Sequence, residues 1–393
     1  MKNKFLGGIL LIVGTSIGAG MLAIPMATAG LGFWTSSLLL LALWLLMTFS
    51  AYLILEVNLF LPEGTNLISM AKSTLGRFGA IVMWIAYLLL LYALLSAFTA
   101  GGADLIYSLT ATAHIISANW LNALIFLVFF GAIAVMGIHG VDFANRILLS
   151  TKLISFVLVV AFCVHLVQWQ LLTGMDLHYL SNAVMPVITS FGFAIIMPSL
   201  RVYLNSDVRL LRKTIFYGSF IPLLCYLLWN LVVQGIIHSS QLLLFGATDH
   251  AVAQLTMTLS ALSRNNLIGE LTHLFTIICI TTSFLGVSLC LIDFLRDGLN
   301  ITARIHRTLW PAVLAFIPPL ILVCFAPSLF IKALSYAGVM CVMILMLLPG
   351  VMAYRGRYVL KLAHHYQVLG GKIILSLQII LSILVLIFAL NHL

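Results

Sequence analysis

The feature that most constrains this chain is the recurrence of apolar stretches, each about 20 residues long, along the whole sequence. A helix of that length crosses the ~30 Å hydrocarbon core of a bilayer, where a backbone is satisfied only in helices or closed barrels. The stretches predict an all-α polytopic membrane protein. We place eleven spans at residues 5–29, 31–61, 78–103, 119–138, 146–170, 184–204, 213–236, 267–292, 308–325, 330–352 and 371–391.

The residues outside these stretches are too few for a soluble domain. Hydrophobic residues make up 63% of the chain and charged residues only 7%, whereas soluble domains carry about 25% charged residues. The 393 residues are therefore predicted to form one transmembrane domain. The six cysteines all lie inside apolar stretches, with no spacing typical of disulfides or metal ligands, and we interpret them as buried hydrophobes.

The net charge of +9 is explained by membrane topology. If the N-terminus is cytoplasmic, the predicted spans put all 19 Lys and Arg residues on the cytoplasmic side except Arg264 and Lys332. This bias satisfies the positive-inside rule. Because membrane topology already accounts for the positive charge, nucleic acid is not an expected partner. An odd number of spans then places the C-terminal tail outside. A cleaved signal peptide is disfavoured, because the first apolar run is too long and contains glycines and a proline.

The first span contains a sequence that forms helix poorly, GTSIGAGMLAIP (14–25). Each interior glycine costs roughly 0.5–1 kcal/mol relative to alanine, and proline removes a backbone hydrogen bond. The sixth span repeats the pattern in TSFGFAIIMP (189–198), where Thr-Ser-x-Gly again precedes a proline. Spans one and six cross in opposite directions, so the paired breaks predict an inverted-repeat transporter. We expect discontinuities near residues 15–20 and 190–194, facing each other across the midplane.

An unwound turn is tolerated at membrane depth only where it is buried in protein or lines a watery cavity. There, freed N–H groups bind a carboxylate, and freed carbonyls bind an ammonium group or a cation. The two breaks are therefore predicted to bind both charges of a zwitterion. The alternative is that the small residues only allow close packing of helices. The match between two repeat-related segments disfavours that alternative.

These segments, with four further motifs, resemble the hydroxy and aromatic amino acid permeases, and most closely their tyrosine-specific branch. The further motifs are SFLGVSL (283–289), YAG (336–338), LEVN (55–58) and NRILLSTK (145–152). The family comprises proton symporters of the bacterial inner membrane within the amino acid–polyamine–organocation superfamily. The resemblance implies a LeuT-type fold, in which five spans are repeated in inverted orientation, plus an eleventh span.

The resemblance also implies the division of the chain and its activity. The first repeat is expected in residues 1–171, the inverted repeat in 182–353, and a cytoplasmic loop with the eleventh span in 354–393. The expected activity is import of an aromatic amino acid by proton symport with alternating access. Tyrosine is favoured, and tryptophan and phenylalanine are alternatives.

One position departs from the family pattern. Tyrosine and tryptophan permeases usually have a histidine after the sixth-span FGF, whereas Ala194 stands here. Loss of a polar partner disfavours a substrate hydroxyl, so tryptophan, phenylalanine or a smaller aliphatic side chain competes with tyrosine. The predicted substrate-binding residues are Thr15, Ser16, Ile17, Gly18, Ala19, Gly20, Tyr92, Ser96, Ser190, Phe191, Gly192, Phe193 and Ala194.

Lys152 is the residue from which proton coupling is expected. It lies six residues beyond Arg146, about 9 Å deeper at 1.5 Å per residue. Its side chain either extends back to the headgroups or turns inward between spans one, five and eight, where desolvation disfavours its charge. Hydroxyls of span eight help to bind the ion in sodium-coupled relatives, so the resemblance adds Thr282 and Ser283. The alternative is that these hydroxyls bond back to their own helix.

Five other polar residues lie within or at the ends of spans. Tyr92 and Ser96 lie four apart on one face of span three, which lines the central site in the family fold. Aromatic residues at helical spacing are more often packing residues. Glu56 lies near the predicted cytoplasmic mouth, where it either pairs with a basic residue in an inner gate or reaches headgroup water. Asp104 and Asp293 lie at span ends and are expected to be solvated.

The sequence disfavours other functional classes. It has no paired carboxylates, no H-E-x-x-H and no G-x-S-x-G, so neither enzyme activity nor a cofactor nor a metal is expected. A channel needs a continuous polar pore, which two isolated breaks do not provide. The alternative carrier is a sodium-coupled or exchange transporter for a small neutral amino acid such as serine or threonine. Expected partners are the amino acid, protons and membrane lipids, and the oligomeric state stays open.

Overall fold

The computed structural model describes residues 2–112, 118–136, 138–263, 266–298, 306–326, 328–362 and 366–392. Arg264, one of the two exceptions to the charge bias, lies outside these residues. The described residues form helices, and no strand occurs among them. The α-helices are α1 (Lys2–Ser16), α2 (Ala19–Thr28), α3 (Gly32–Leu59), α4 (Leu67–Thr112), α5 (Asn119–Val135), α6 (Ile138–Cys163), α7 (Leu180–Ser190), α8 (Met197–Tyr203), α9 (Val208–Ile236), α10 (Ser239–Gly246), α11 (Ala251–Ser263), α12 (Asn266–Gly298), α13 (His306–Phe325), α14 (Leu329–Cys341), α15 (Leu348–Tyr358) and α16 (Gly371–Leu390).

Eight stretches of the described residues are long and apolar enough to cross a membrane by length and composition. Shorter apolar helices accompany them, including α5, most of α13 and most of α1. Every predicted span overlaps one or more of these helices. The third span begins after Gly76, where α4 bends through a backbone with φ of 80°, a conformation that glycine adopts easily.

Two helices between α9 and α12 were not predicted, α10 and α11. The second has 13 residues, or about 20 Å, which is shorter than the hydrocarbon core. It packs against α12 and α4. A helix this short gives no span-length hydropathy signal, which explains why no span was predicted between residues 236 and 267.

The beginning of α11 also corrects an expectation about charge. Asp104 of α4 is 1% exposed, not solvated, because the beginning of α11 covers it. Its carboxylate accepts from the Val252 amide at 2.9 Å and lies 3.3 Å from His250 Nδ1. The side chain of Asp293, in contrast, is 42% exposed and pairs with Arg296 at 2.8 Å, as a solvated residue at a span end does.

Helices α2, α3 and α9 are joined by buried polar side chains. Asn230 of α9 donates to Ser36 Oγ of α3 at 2.8 Å and accepts from Thr28 Oγ1 of α2 at 3.2 Å. Gln234, one turn further along α9, donates to both Asn230 Oδ1 and Thr28 Oγ1. Satisfied polar networks in an apolar interior favour one relative arrangement of their elements. The second half of span one is therefore fixed to α3 and α9.

Helices α14 and α15 are joined by a π-helical turn, Val342–Leu347, which is followed by Pro349 in the first turn of α15. The Ser50 hydroxyl of α3 donates to the carbonyl of Leu345 within that turn. A π-helical turn disrupts the regular i→i−4 pattern, and the hydroxyl supplies a partner there. This contact fixes the bend in the tenth span to the middle of α3.

Candidate functional site

The first span is interrupted within the predicted range. α1 ends at Ser16, α2 begins at Ala19, and Gly18 between them has an extended backbone with φ of −158°. Side chains of other helices replace the lost intrahelical partners. The Ala19 amide donates to Ser283 Oγ of α12 at 3.0 Å. Glycine at position 18 allows this close approach, because a Cβ there would lie 2.3 Å from Ser283 Oγ and would force that side chain to move.

The carbonyls on one side of this break face Lys152 of α6. Its Nζ donates to Ile17 O at 2.5 Å and lies 3.4 Å from both Gly14 O and Thr282 Oγ1. The side chain is 1% exposed, so Lys152 turns inward instead of extending to the headgroups. Within the described part of the chain no carboxylate pairs with it. Lys152 therefore links the first break to α12 through neutral oxygen atoms alone.

The hydroxyl of Thr282 combines both arrangements considered from the sequence. It donates to Ile278 O of its own helix at 2.8 Å and presents its oxygen to Lys152 Nζ. A hydroxyl has one proton and two lone pairs, so the back-bond leaves an acceptor free for the ammonium group. Thr282 and Ser283 thus contact opposite sides of the first break, one through Lys152 and one through the Ala19 amide.

The sixth span is also interrupted within the predicted range. α7 ends at Ser190, and a 3₁₀ helix, Gly192–Ile196, leads into α8. A 3₁₀ segment in the middle of a span has poorer hydrogen-bond geometry than an α-helix. Gly20 of α2 lies against this region, because a Cβ there would lie 2.9 Å from Ser190 Oγ. The two breaks are therefore in contact, with glycine at the closest point.

The residue that connects the two breaks was missed by the sequence analysis. The Tyr226 hydroxyl of α9 lies 2.6 Å from Ser16 O and 2.8 Å from Ser190 O, and the residue is fully buried. The sequence does show that Tyr226 lies in an apolar run, where a buried tyrosine hydroxyl requires a hydrogen-bond partner. The sequence does not show that the partners are the ends of α1 and α7.

The side chains at the second break form an enclosed apolar wall. Phe191, Phe193 and Ala194 are at most 1% exposed. The ring of Phe191 meets the ring of Tyr226 edge to face, with centroids 5.1 Å apart. Ile17 at the first break is also fully buried. In this structure the region between the breaks is closed, and its side chains are mainly aromatic and aliphatic.

The remaining hydroxyls predicted for the site are directed elsewhere. Tyr92 donates to Leu314 O of α13 at 3.0 Å, and Ser96 donates back to Tyr92 O at 2.7 Å. Thr15 bonds to carbonyls of its own helix, and Ser190 Oγ bonds to Pro186 O. These hydroxyls therefore bond to a neighbouring helix or back to their own helix, which are the structural alternatives to a role in substrate binding. Ser16 differs, because its Oγ is buried and has no hydrogen-bond partner among the described residues.

Glu56 of α3 pairs with Arg357 of α15. The guanidinium donates to both carboxylate oxygens, at 2.6 and 2.5 Å, and the side chains are 0% and 3% exposed. The Val368 amide donates to Glu56 Oε2 at 2.7 Å, and Arg357 donates to Val368 O at 3.0 Å. Of the two alternatives for Glu56, pairing is the one found. The pair ties α3 to α15 and to the segment that leads into α16.

Two broken helices that meet in the interior of an all-α membrane protein are the arrangement of the LeuT-type fold. The crystal structure of MhsT in complex with L-phenylalanine has the same fold, with a TM-score of 0.68 over 98% of each chain and 13% sequence identity. The predicted fold class is therefore confirmed.

The chain belongs to the tryptophan/tyrosine permease family, whose model matches residues 1–389. It is 35% identical to tyrosine-specific transport system 1 of Haemophilus influenzae, over 98% of this chain and 96% of that protein. It is 30% identical to glutamine transporter 2 of Aliivibrio fischeri, over 98% of this chain and 99% of that protein. The resemblance found in the motifs is confirmed. The chain is a multi-pass membrane permease of a bacterial aromatic amino acid permease family, and it is not an enzyme.

Proposed function

We propose that this permease imports an aromatic amino acid, with tyrosine favoured, by proton symport across the bacterial inner membrane. In the proposed topology the N-terminus is cytoplasmic and the C-terminus periplasmic. Residues 1–171 and 182–353 form inverted repeats that alternate between inward and outward access, and 354–393 adds the eleventh span. The observation that carries the proposal is the position of Lys152 between the first break and α12.

The substrate zwitterion lies between the two breaks. The amides of Gly18 and Gly20 bind its carboxylate, and carbonyls at the ends of α1 and α7 bind its ammonium group, since half-helix ends carry those partial charges. Its ring packs against Phe191 and Phe193, whose burial in the closed state supplies an apolar pocket wall. Aromatic pairs gain about 0.5–1.5 kcal/mol beyond area burial. The hydroxyls of Tyr92 and Ser96 bond to α13 and along α4 in this structure, and their contact with the substrate stays a prediction.

The coupling step is protonation of Lys152. When charged, its Nζ holds the carbonyls of Gly14 and Ile17 to Thr282 of α12, so spans one and eight stay together. When neutral, it loses the charge-assisted part of these bonds, which are roughly twice as strong as neutral ones. Spans one and eight then separate, and the site opens. The Ser283–Ala19 bond joins α12 to the other side of the first break and completes the contact.

Glu56 contributes to the inner gate through a fixed contact. Its pair with Arg357 joins α3 to α15, so these helices move as one unit when spans one and eight separate. In the proposed topology this contact lies near the cytoplasmic mouth.

Transport by the purified protein in proteoliposomes tests the proposed function. An inward proton gradient should concentrate labelled tyrosine without sodium, a proton ionophore should abolish the concentration, and excess unlabelled tyrosine inside should drive counterflow. Competition by the other amino acids then ranks the substrates. If no aromatic amino acid competes, the aromatic assignment fails; if sodium is required and the ionophore has no effect, the proton assignment fails.

A second candidate is a carrier for a neutral amino acid with a smaller or polar side chain, such as serine, threonine or glutamine. Two observations favour it: Ala194 offers no polar partner to a ring hydroxyl, and a relative of 30% identity is named for glutamine. The same competition assay separates the two candidates, because glutamine, serine or threonine would then displace the label more strongly than phenylalanine does.

A further inference from the structure

The buried hydroxyl of Tyr226 has no role in the mechanism above. It lies 2.6 Å from Ser16 O and 2.8 Å from Ser190 O, and each carbonyl belongs to the last residue of a helix that stops at a break. One side chain of α9 therefore contacts the backbone of both broken helices. No other residue described in the structure hydrogen-bonds to both ends.

The Tyr226 hydroxyl faces two carbonyl acceptors but has only one proton to donate. A phenol has a single O–H donor, so it donates to one carbonyl at a time and presents a lone pair to the other. Tyr226 is fully buried, and a buried carbonyl without a donor is unfavourable. Ser16 Oγ lies on the same residue and has no partner among the described residues. That hydroxyl carries a proton of its own but donates it to neither carbonyl, so the single phenol proton leaves one of the two carbonyls without a donor from this cluster.

The carbonyls of the first break are divided between two groups. Lys152 takes those of Gly14 and Ile17, which are three residues apart and lie on one face of a helix. The carbonyl of Ser16, between them in sequence, points to a different face and is left to Tyr226. Lys152 and Tyr226 thus lie on separate sides of the same turn. Lys152 does not bind the Ser16 carbonyl, which is the one that lies near the second break.

An ammonium group supplies what this cluster lacks, namely three N–H donors and a positive charge. We propose that Tyr226 binds the ammonium group of the substrate, together with the carbonyls of Ser16 and Ser190. Without substrate the phenol alone holds the two breaks together. With substrate, the phenol proton stays on one carbonyl, and the ammonium group donates to the other and to the phenol oxygen. The proposal rests on the proposed function, since it requires an α-amino acid substrate.

The test is ligand binding to the full-length protein in nanodiscs, with three probes that share one ring. These are tyrosine, tyramine (which keeps the ammonium group but has no carboxylate) and 3-(4-hydroxyphenyl)propionate (which keeps the carboxylate but has no ammonium group). Tyr226→Phe should weaken tyrosine and tyramine about tenfold or more, as expected for a lost bond to a charged group. Binding of the propionate should change less than about twofold. Tyr217→Phe is the matched control, because it removes a hydroxyl from an exposed site on the same helix.

A second variant separates a binding role from a merely structural one. Replacing Tyr226 with 4-aminophenylalanine keeps the ring and supplies two N–H donors, enough for both carbonyls. The substrate-free protein should then be at least as heat-stable as the wild type, yet bind tyrosine about tenfold more weakly, because the carbonyls no longer lack a donor. A structural role predicts instead that this variant binds tyrosine normally.

The outcomes distinguish failure of this proposal from failure of the proposed function. If the wild type binds tyrosine but Tyr226→Phe weakens all three probes equally, or none of them, the role of Tyr226 is overturned while the transporter assignment stands. If the wild type prefers tryptophan or phenylalanine, the amine and acid of that ring replace the tyrosine analogues, with the same expected pattern. If it binds no α-amino acid, both proposals fall.

Discussion

Two buried cations in the described part of the chain, Arg357 and Lys152, differ in their partners. Arg357 is paired with Glu56, and the carboxylate also accepts from a backbone amide, so the pair is neutral as a whole. Lys152 is 1% exposed and is held only by carbonyls and a hydroxyl. Removing one partner of a buried pair leaves an uncompensated charge, whereas an unpaired amine can release its own charge as a proton.

This difference indicates which contact is fixed and which one switches. Arginine stays protonated in proteins, and Glu56 matches it with two hydrogen bonds, so the contact between α3 and α15 keeps one state. Lysine gives up its proton readily when buried. The chain therefore places a permanent pair where helices are joined and a titratable, unpaired group where the proposed mechanism needs them to separate.

The largest expected effect comes from breaking the fixed pair. Glu56→Gln leaves Arg357 buried without a counter-charge and should reduce the free energy of unfolding by about 3–5 kcal/mol, seen as loss of monodisperse protein and a lower Tm in detergent. Asp293→Asn is the control, because it disrupts a partly exposed pair with Arg296, and such pairs contribute about 0–1 kcal/mol. Equal effects of the two substitutions would contradict the assignment of a fixed contact.

A smaller effect is expected from separating α12 from the first break. Gly18→Ala puts a Cβ 2.3 Å from Ser283 Oγ, and overpacking of this kind costs about 1–3 kcal/mol. Transport should fall with stability, because the same shift moves Thr282 away from Lys152. Adding Ser283→Ala removes the clashing oxygen and should restore part of the Tm. Gly286→Ala is the control, since a Cβ there meets nothing within 4 Å; no recovery in the double variant would refute the steric explanation.

Removing the unpaired cation should affect stability less than breaking the pair. Lys152→Gln leaves no charge behind and keeps an amide donor for the carbonyls, so it should cost about 1 kcal/mol, the usual value of one hydrogen bond. The Tm of the purified variant, measured beside that of Glu56→Gln, checks this ranking. A cost for Lys152→Gln as large as that for Glu56→Gln would mean that Lys152 serves folding rather than coupling.

The smallest effect concerns the wall of the substrate site. Ala194→Ser adds one hydroxyl at a fully buried position and gives a ring hydroxyl a partner. Because such a bond is worth about 0.5–1.5 kcal/mol, the preference for tyrosine over phenylalanine should rise two- to tenfold in competition assays. Phenylalanine affinity is the internal reference, and an unchanged ratio would show that the substrate ring does not reach Ala194.

Much of this arrangement could be predicted from local sequence. Glycine and proline in spans one and six marked both breaks, because their backbone preferences act wherever they stand. The depth of Lys152 followed from counting residues along a helix, and family resemblance narrowed the function. These are properties of single segments, which the sequence displays directly.

The contacts between distant segments could not be predicted. The carboxylate of Glu56 and its partner Arg357 are separated by 301 positions, and many basic residues were equally available in the sequence. Tyr226 looks like any aromatic residue on an apolar helix until the ends of α1 and α7 are placed beside it. The burial of Asp104 was missed because it depends on packing against α11, a helix too short to give a span-length signal. In each case, tertiary packing decided which side chains meet.

The central claim, that protonation of Lys152 couples transport to the proton gradient, is tested most directly by following protons. Wild-type protein is reconstituted in sodium-free liposomes that contain a pH-sensitive dye, and its preferred amino acid is added outside. The wild type should acidify the lumen as substrate enters. Lys152→Gln should leave the lumen pH unchanged and still exchange labelled for unlabelled substrate. Lumen acidification by Lys152→Gln at the wild-type rate would contradict this account.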